Sequence, residues 1–386
     1  MNFLGYRRPD GRVGTRNYVG IISTVVCANE VAKGIADKVS GAVAFTHQQG
    51  CCQTPPDLNR VTETLCGLGC NPHLAAVLLI GLGCEGTEMP TVQKAVAACG
   101  KPVQTLFIQE LGGAAKTTAE GMLIAQEMAI QASRLKPQEC DGGDIVLGLK
   151  CGSSDTTSGL AANPALGVVV EHLVAENAVV ILGEVTEFIG AEHILAAQAK
   201  DQATGDKILA LVERMENRVK AMGVDMRGGQ PTPGNIAGGL TTIEEKSLGA
   251  IAKVGNAVVQ EVYEYGQAPG VKGLVVMDSP GREPEILTGL AAAGCNVITF
   301  TTGRGAPQGF PFVPVIKITG NEKTWNHLRD HMDLSVHQVM DGRESLGQAG
   351  TRIYEAIETV ASGTRTKAEI SGYVQAMDIY VTGPVI

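Results

Sequence analysis

Between Lys150 and Gly167 the sequence reads KCGSSDTTSGLAANPALG, and it gathers more reactive side chains than any other stretch. After Cys151 come five Ser/Thr hydroxyls, the carboxylate of Asp155 and the carboxamide of Asn163. The apolar run before it, Ile145 to Leu149, predicts a buried strand that stops at a cysteine and a glycine. So small and polar a stretch is a loop at a strand's carboxyl end leading into a helix, where free N–H groups and the helix dipole favour an anion. Open α/β sheets bind their ligands along that edge. The bland alternative is a Ser/Gly-rich surface turn with no ligand.

Three short motifs share that geometry: HQQGCCQ from His47, GLGCE from Gly81, and KCGSSD. Thiolate and imidazole are ligands for iron or zinc, and Glu85 and Asp155 offer oxygens, so a shared metal or cluster competes with three separate structural cysteines. None has C-x₂-C spacing. Cys66-x₃-Cys70 comes nearest but lacks a second pair, and Cys27, Cys99 and Cys295 read as small core residues. Glu184 and Glu187, in GEVTEFIGAEHI, can bind metal or act as a base, or they can simply favour a first helical turn. His193 is read as structural, and His327, His331 and His337 as surface residues.

The segment PTPGNIAGGLTTIEEKSLGAIAKVG supplies Asn235, Thr241, Thr242, Lys246 and Ser247. A glycine-rich loop running into hydroxyls suits a carboxylate or oxyanion. It lacks the GK[ST] of a P-loop. Arg304, in TTGRG after the run Val297 to Phe300, is suited to bidentate capture of a carboxylate. Without G-x-S-x-G, or a GxGxxG placed after a strand, neither a serine hydrolase nor a Rossmann dehydrogenase has support.

The elements that must position these residues alternate strand and helix. Strands are predicted at 18–26, 42–46, 75–80, 103–108, 145–149, 178–182, 272–277, 296–300 and 313–318. Helices are predicted at 29–39, 58–65, 90–99, 114–133 and 164–176, with a long one from Glu187 to about Met222. Residues 228–239 are too rich in glycine and proline for regular structure and read as a functional loop. The fold class is α/β: two packed three-layer domains with mostly parallel sheets, residues 1–135 and 140–386, joined through RLKPQECDGG. The chain has 386 residues, 44% hydrophobic but only 4% aromatic, so its core must be aliphatic. A net charge of -9 with no basic block argues against a nucleic-acid surface. No apolar run approaches a membrane span, and the N-terminus lacks a signal-peptide core. Ten cysteines without a disulfide framework suit a cytoplasmic protein.

Taken together, GYRRPDGRVGTRN, HQQGCCQ, GLGCE, CGSSDTTSGLAANPALG, EVTEFIGAEHIL, PTPGNIAGGLTTIEEKSLGAIAKVG and TTGRG resemble the altronate/galactarate dehydratase family, in the family's order. The resemblance implies a lyase that eliminates water from a sugar acid to give a 2-keto-3-deoxy acid. It also implies a divalent metal, typically Fe²⁺, with Mn²⁺ and an iron–sulfur cluster left open. Single-chain members carry an extra small N-terminal SAF-type domain, and this chain begins directly at GYRR. It therefore resembles the large subunit of a split enzyme with a separate small partner and a likeness to oligomeric relatives. The family's (2R)-sulfolactate sulfo-lyase is built that way and expels sulfite, leaving pyruvate. A sulfonate would call for extra cations, for which Arg12, Arg16, Lys150 and Arg304 are candidates.

On this reading His47, Cys51, Cys84 and Cys151 hold the metal, with Glu85 or Asp155 as further ligands. Glu184, Glu187 or Lys246 moves the proton. Ser154, Asp155, Asn163, Asn235, Thr241, Thr242 and Arg304 hold the anionic and hydroxyl groups of a small hydroxy acid. The class that lies outside enzymes is a non-catalytic anion-binding or redox-sensing protein.

Overall fold

The computed structural model describes residues 1–374 and 377–386. An antiparallel pair, β1 (Asn2–Arg7) and β2 (Val13–Gly14), opens the chain. Then β3 (Tyr18–Ser23), β4 (Ala42–Phe45), β5 (Leu74–Gly81) and β6 (Val103–Phe107) form a parallel sheet in the order β4-β3-β5-β6. Helices α1 (Asn29–Ala36), α2 (Pro55–Cys70), α3 (Met89–Ala98) and α4 (Ala114–Ser133) follow its strands in turn. Apolar residues of α1 and α4 pack on one face of this sheet and those of α2 and α3 on the other. Covering both faces is why β5 is a continuous apolar run rather than an alternating one.

Residues 138–141, expected to be part of an irregular connector, instead form β7 (Gln138–Asp141), which pairs antiparallel with β1. The second sheet has seven strands: β8 (Val146–Gly152), β9 (Val179–Leu182), β10 (Val259–Tyr263), β11 (Gly273–Met277), β12 (Val297–Thr302), β13 (Val315–Thr319) and β14 (Leu334–Ser335). Their order is β10-β11-β9-β8-β12-β13-β14, and every neighbouring pair is parallel. From β8 the chain winds first toward β9 and β11, then returns to place β12 on β8's other side. The crevice at the carboxyl ends of β8 and β12 is therefore this sheet's topological switch point.

The helices of this half are α5 (Asn163–Ala175), α6 (Glu192–Ala197), α7 (Gln202–Lys220), α8 (Met226–Gly229), α9 (Pro233–Ala237), α10 (Ile243–Ile251), α11 (Glu283–Ala292), α12 (Glu322–His327), α13 (Leu346–Ala361) and α14 (Lys367–Ser371). The stretch Ser158–Ala175 has a mean hydropathy of 1.2, long and apolar enough on composition to span a membrane. Its apolar residues belong to the core shared with α13 and the sheet, which accounts for that composition. The other face of this sheet packs against α11, which crosses α2 of the first sheet. A Cβ on Gly67 of α2 would lie 2.4 Å from the Ala292 carbonyl oxygen, so the two helices approach at backbone contact.

Three expectations need correction. The helix predicted from Glu187 to Met222 is interrupted, first at Gly190 (φ +92°) and again where Asp201 accepts from the Thr204 N–H and starts α7. Residues 228–239 are not free of regular structure: Thr232 and Asn235 form a capping box that starts α9, with Pro233 at its first position. Cys27 is exposed rather than in the core.

Candidate active site

Strand β8 runs three residues further than its apolar stretch and carries Cys151 and Gly152 to the carboxyl edge. Ser153 then turns the chain with φ +47°. Asp155 accepts from the Ser158 N–H at 3.0 Å and from the Thr157 hydroxyl at 2.7 Å, capping the helical stretch that begins at Thr156. Its other oxygen accepts from Asn321 Nδ2 at 2.7 Å. The anion at this helix start is thus the chain's own Asp155, and not a bound ligand as the sequence suggested. The first turns, Ser158–Ala162, are wound as a π-helix, a local widening that recurs at functional sites.

Facing this loop is α10, started by Thr242, whose hydroxyl accepts from the Glu245 N–H. The two walls touch where Gly159 meets Gly249, and a Cβ on either would sit 3.1–3.2 Å from the other's Cα. Elsewhere they stand apart and enclose a cavity of about 550 Å³. Ser154, Asp155, Asn163, Thr242 and Lys246 line it, which unites five of the residues picked from sequence. Thr156, Ser158, Glu244 and Glu245 line it as well and were not singled out. Their signal was the same hydroxyl-rich run and the acidic first turn of α10.

Lys246 Nζ lies 3.0 Å from Glu187 Oε1 and donates to Gln230 Oε1 at 3.1 Å. Among the described residues nothing donates to Glu187 Oε2, which is buried. This carboxylate is half satisfied and stands behind the cavity's lysine, Glu187 itself not being among the lining residues. Glu184 is different. Its side chain is 0% exposed, against 9% for Glu187 and 12% for Lys246, and both its oxygens are engaged. It sits in the left-handed region (φ +66°) and accepts from Lys150 Nζ at 2.8 Å, Lys253 Nζ at 3.2 Å and the Cys151 N–H at 2.7 Å. Burial alone would raise its pKa, but the two ammonium groups reverse that and hold it below the usual carboxylate value. Glu184 thus fixes the Cys151 backbone from beneath the site.

The remaining picks have positioning contacts. Asn235 Nδ2 donates to the Ser154 carbonyl at 2.9 Å, tying α9 to the β8 loop. Thr241 is exposed and donates through both its N–H and its hydroxyl to Glu245. Arg304 is exposed and donates to the Gly234 carbonyl at 3.0 Å, at the rim and not in the cavity lining. Asn163 accepts from the Thr301 hydroxyl at 2.6 Å and donates to the Gly249 carbonyl at 2.8 Å, joining β12, α5 and α10.

The structure does not bring the four expected metal ligands together. His47 is buried with both ring nitrogens occupied: Nε2 pairs with the Ser23 carbonyl at 2.9 Å and Nδ1 accepts from the Gln49 N–H at 3.1 Å. No lone pair is left for a cation, and burial pushes its pKa down to about 4. Cys51 and Cys84 belong to loops of the first sheet, beside Cys52 and Gln109 respectively. Cys151 is buried in the second, 3.0 Å from Ser154 Oγ. Glu85 is held by the Thr24 hydroxyl and the Gly83 N–H. Among the described residues no group of three or more His, Cys, Asp and Glu side chains is placed to hold a metal ion. Among the described residues these side chains do not form a cation site, and no chemical step is routed through one below.

Comparison with known proteins gives the same answer for both halves of the chain. Residues 143–383 match the family model for D-galactarate/altronate dehydratase, C-terminal, and residues 5–133 that for D-galactarate dehydratase/altronate hydrolase, second domain. The (2R)-sulfolactate sulfo-lyase subunit beta of Chromohalobacter salexigens is 37% identical over 375 residues, covering 96% of this chain and 95% of that protein. The altronate dehydratase of Escherichia coli K12 is 32% identical over 372 residues, covering 94% and 74% respectively. The galactarate dehydratase (L-threo-forming) of the same organism is 32% identical over 406 residues, covering 99% and 77%.

Proposed function

The chain belongs to the D-galactarate/altronate dehydratase family, and with that lyase family as premise we propose that it removes water from a small polyhydroxy 2-hydroxy acid to give a 2-keto-3-deoxy acid. One observation carries this reading: the half-satisfied Glu187 carboxylate beside Lys246, at a cavity lined by the hydroxyls of Ser154, Thr156, Ser158 and Thr242. The hydrogen on the carbon next to a carboxylate is a very weak acid. Lys246 meets the substrate carboxylate and stabilises the negative charge that grows on it as the proton leaves. Glu187, with Oε2 free of donors, takes that proton. The hydroxyls orient the polyol chain and supply a proton path to the departing oxygen. Asp155, with its acceptor sites engaged, holds the wall in place.

The second reading is sulfite expulsion from sulfolactate, favoured by the 37% identity over nearly the full length of the sulfo-lyase subunit. The cavity's charge favours a monoanion such as altronate. A sulfonate adds a second negative charge, yet Arg12 is paired with Asp10, Arg16 with Glu369 and Lys150 with Glu184, and Arg304 stands outside the lining. We extend the proposal to a small SAF-type partner chain, which the designation "subunit beta" of that relative supports. The deciding experiment supplies altronate, galactarate and sulfolactate in turn, with and without a small partner and ferrous iron, and measures 2-keto acid and sulfite. Keto acid without sulfite supports the dehydratase; sulfite with pyruvate overturns it in favour of the sulfo-lyase.

A further inference from the structure

Cys66 and Cys70, one helical turn apart, lie outside the candidate active site. Cys70 is the last residue of α2, and Cys99 is the residue that ends α3. Their sulfurs are 2.8 Å apart, with Cys99 donating to Cys70. Non-bonded heavy atoms rest at roughly 3.5–4 Å, and a disulfide closes at about 2.0 Å. Less than an ångström of sulfur movement separates the two states, so neither helix end has to shift far.

The surroundings assign different parts to the two sulfurs. Burial, and then the hydrogen bond from Cys99, push the Cys70 thiol up to about 12, so Cys70 keeps its proton. Arg12 Nη2 donates to the Cys99 sulfur at 3.4 Å. Both cysteines are half-buried, within reach of a small oxidant. Cys66 lies one turn back on the same helix, and burial pushes its thiol up to about 11.

We propose that Cys70 and Cys99 are a dithiol modification site that closes to an intramolecular disulfide on meeting an organic hydroperoxide, stapling the end of α2 to the end of α3. The Cys99 sulfur attacks the peroxide: an S–O bond forms, the O–O bond breaks and the alcohol leaves. Cys70 then displaces the oxygen from the sulfenic acid as water, which carries off the Cys70 proton. Two thiols lose two electrons, and the hydroperoxide gains them. The staple lies three residues from Gly67, where α2 meets α11, so it fixes the helix that links the two sheets.

The test treats the full chain with one equivalent of tert-butyl hydroperoxide and maps its peptides without reduction. Accessible thiols counted in denaturant should fall by two from the ten in the sequence, with the link between residues 70 and 99 and reversal by dithiothreitol. In Cys70→Ser the link should vanish and dimedone should trap a sulfenic acid at Cys99; Cys99→Ser should give neither. A wild-type chain that keeps all its thiols overturns the proposal. So does a first disulfide that joins Cys51 to Cys52, whose sulfurs lie 3.5 Å apart, or one that uses Cys66. These three outcomes are read on the unmutated chain and stand even if a variant does not fold.

Discussion

Replacing Glu187 by glutamine removes one charge and one proton acceptor while leaving the shape of the side chain almost unchanged. General-base catalysis is worth roughly 10²–10⁴ in rate, which is about 3–5 kcal/mol of barrier at about 1.4 kcal/mol per tenfold. The cost to the fold is smaller. Breaking a fully buried ion pair costs about 3–5 kcal/mol, and an exposed pair is worth about 0–1 kcal/mol. The Lys246–Glu187 pair lies between, and Lys246 retains Gln230 Oε1 at 3.1 Å, so about 1–2 kcal/mol is expected. A domain stable by about 5–15 kcal/mol survives that. Glu187→Gln should therefore fold and melt cooperatively, while its kcat falls by at least about 100-fold. The assay follows 2-keto acid formation from the accepted sugar acid, together with solvent deuterium exchange at the carbon next to the carboxylate in the unreacted substrate. A folded variant that loses less than about tenfold in kcat, or whose deuterium exchange is unchanged, would refute the assignment of the base.

Glu184→Gln should act on stability instead, because it leaves Lys150 and Lys253, both 0% exposed, without their shared carboxylate; a loss of about 3–5 kcal/mol in denaturant unfolding is expected, and a variant as stable as wild type contradicts the buried triad. The lowered Glu184 pKa gives stability that is present above the ordinary glutamate value and lost as pH falls through the lower, folded value. His47, with its pKa near 4 against 6.5 unfolded, likewise contributes stability above pH 6.5 that disappears on going down to pH 4. That contribution is about 3 kcal/mol, and a His47 imidazole seen by NMR to take a proton near pH 6.5 would exclude it. Cys84→Ser and Cys151→Ser, made singly, should leave any activation by ferrous or manganous ion within about twofold of wild type, since the thiols do not converge; iron lost in step with either thiol would restore them as ligands.

How much was legible depended on whether a signal was local. The run LAAVLLIG predicts β5 because a strand covered on both faces needs no alternation. Residues 114–133 form a helix with the expected ends because glycines stop the pattern before Ala114. Ser154, Asp155, Asn163, Thr242 and Lys246 were picked from residue type, and the fold sets all five around one cavity. What sequence could not show was which acid meets which donor. Asp155 is consumed by a helix start and Glu184 by two lysines more than thirty residues from it in each direction, and of these three acids Glu187 keeps an oxygen with no donor among the described residues. The Thr-Pro-Gly-Asn signature of a capped helix at Thr232 was readable but was outweighed by the glycines around it.

The two sheets make the same crevice and use it differently. In each, the strand order reverses between two central strands, β3 and β5 in one and β8 and β12 in the other, and a carboxylate of the chain's own fills the crevice. Glu85 takes the Thr24 hydroxyl and the Gly83 N–H in the first; Asp155 takes the Ser158 N–H and Asn321 in the second. An anionic ligand therefore cannot use those donors in either sheet. The second sheet adds a wall that stands off, α10, and there a lysine reaches the space left over. The substrate's carboxylate must answer to Lys246, and the rest of the molecule to hydroxyls. On the proposed reading, a cavity built in that proportion suits one negative charge and several OH groups, the composition of an aldonic acid such as altronate rather than of a sulfonated or dicarboxylic acid.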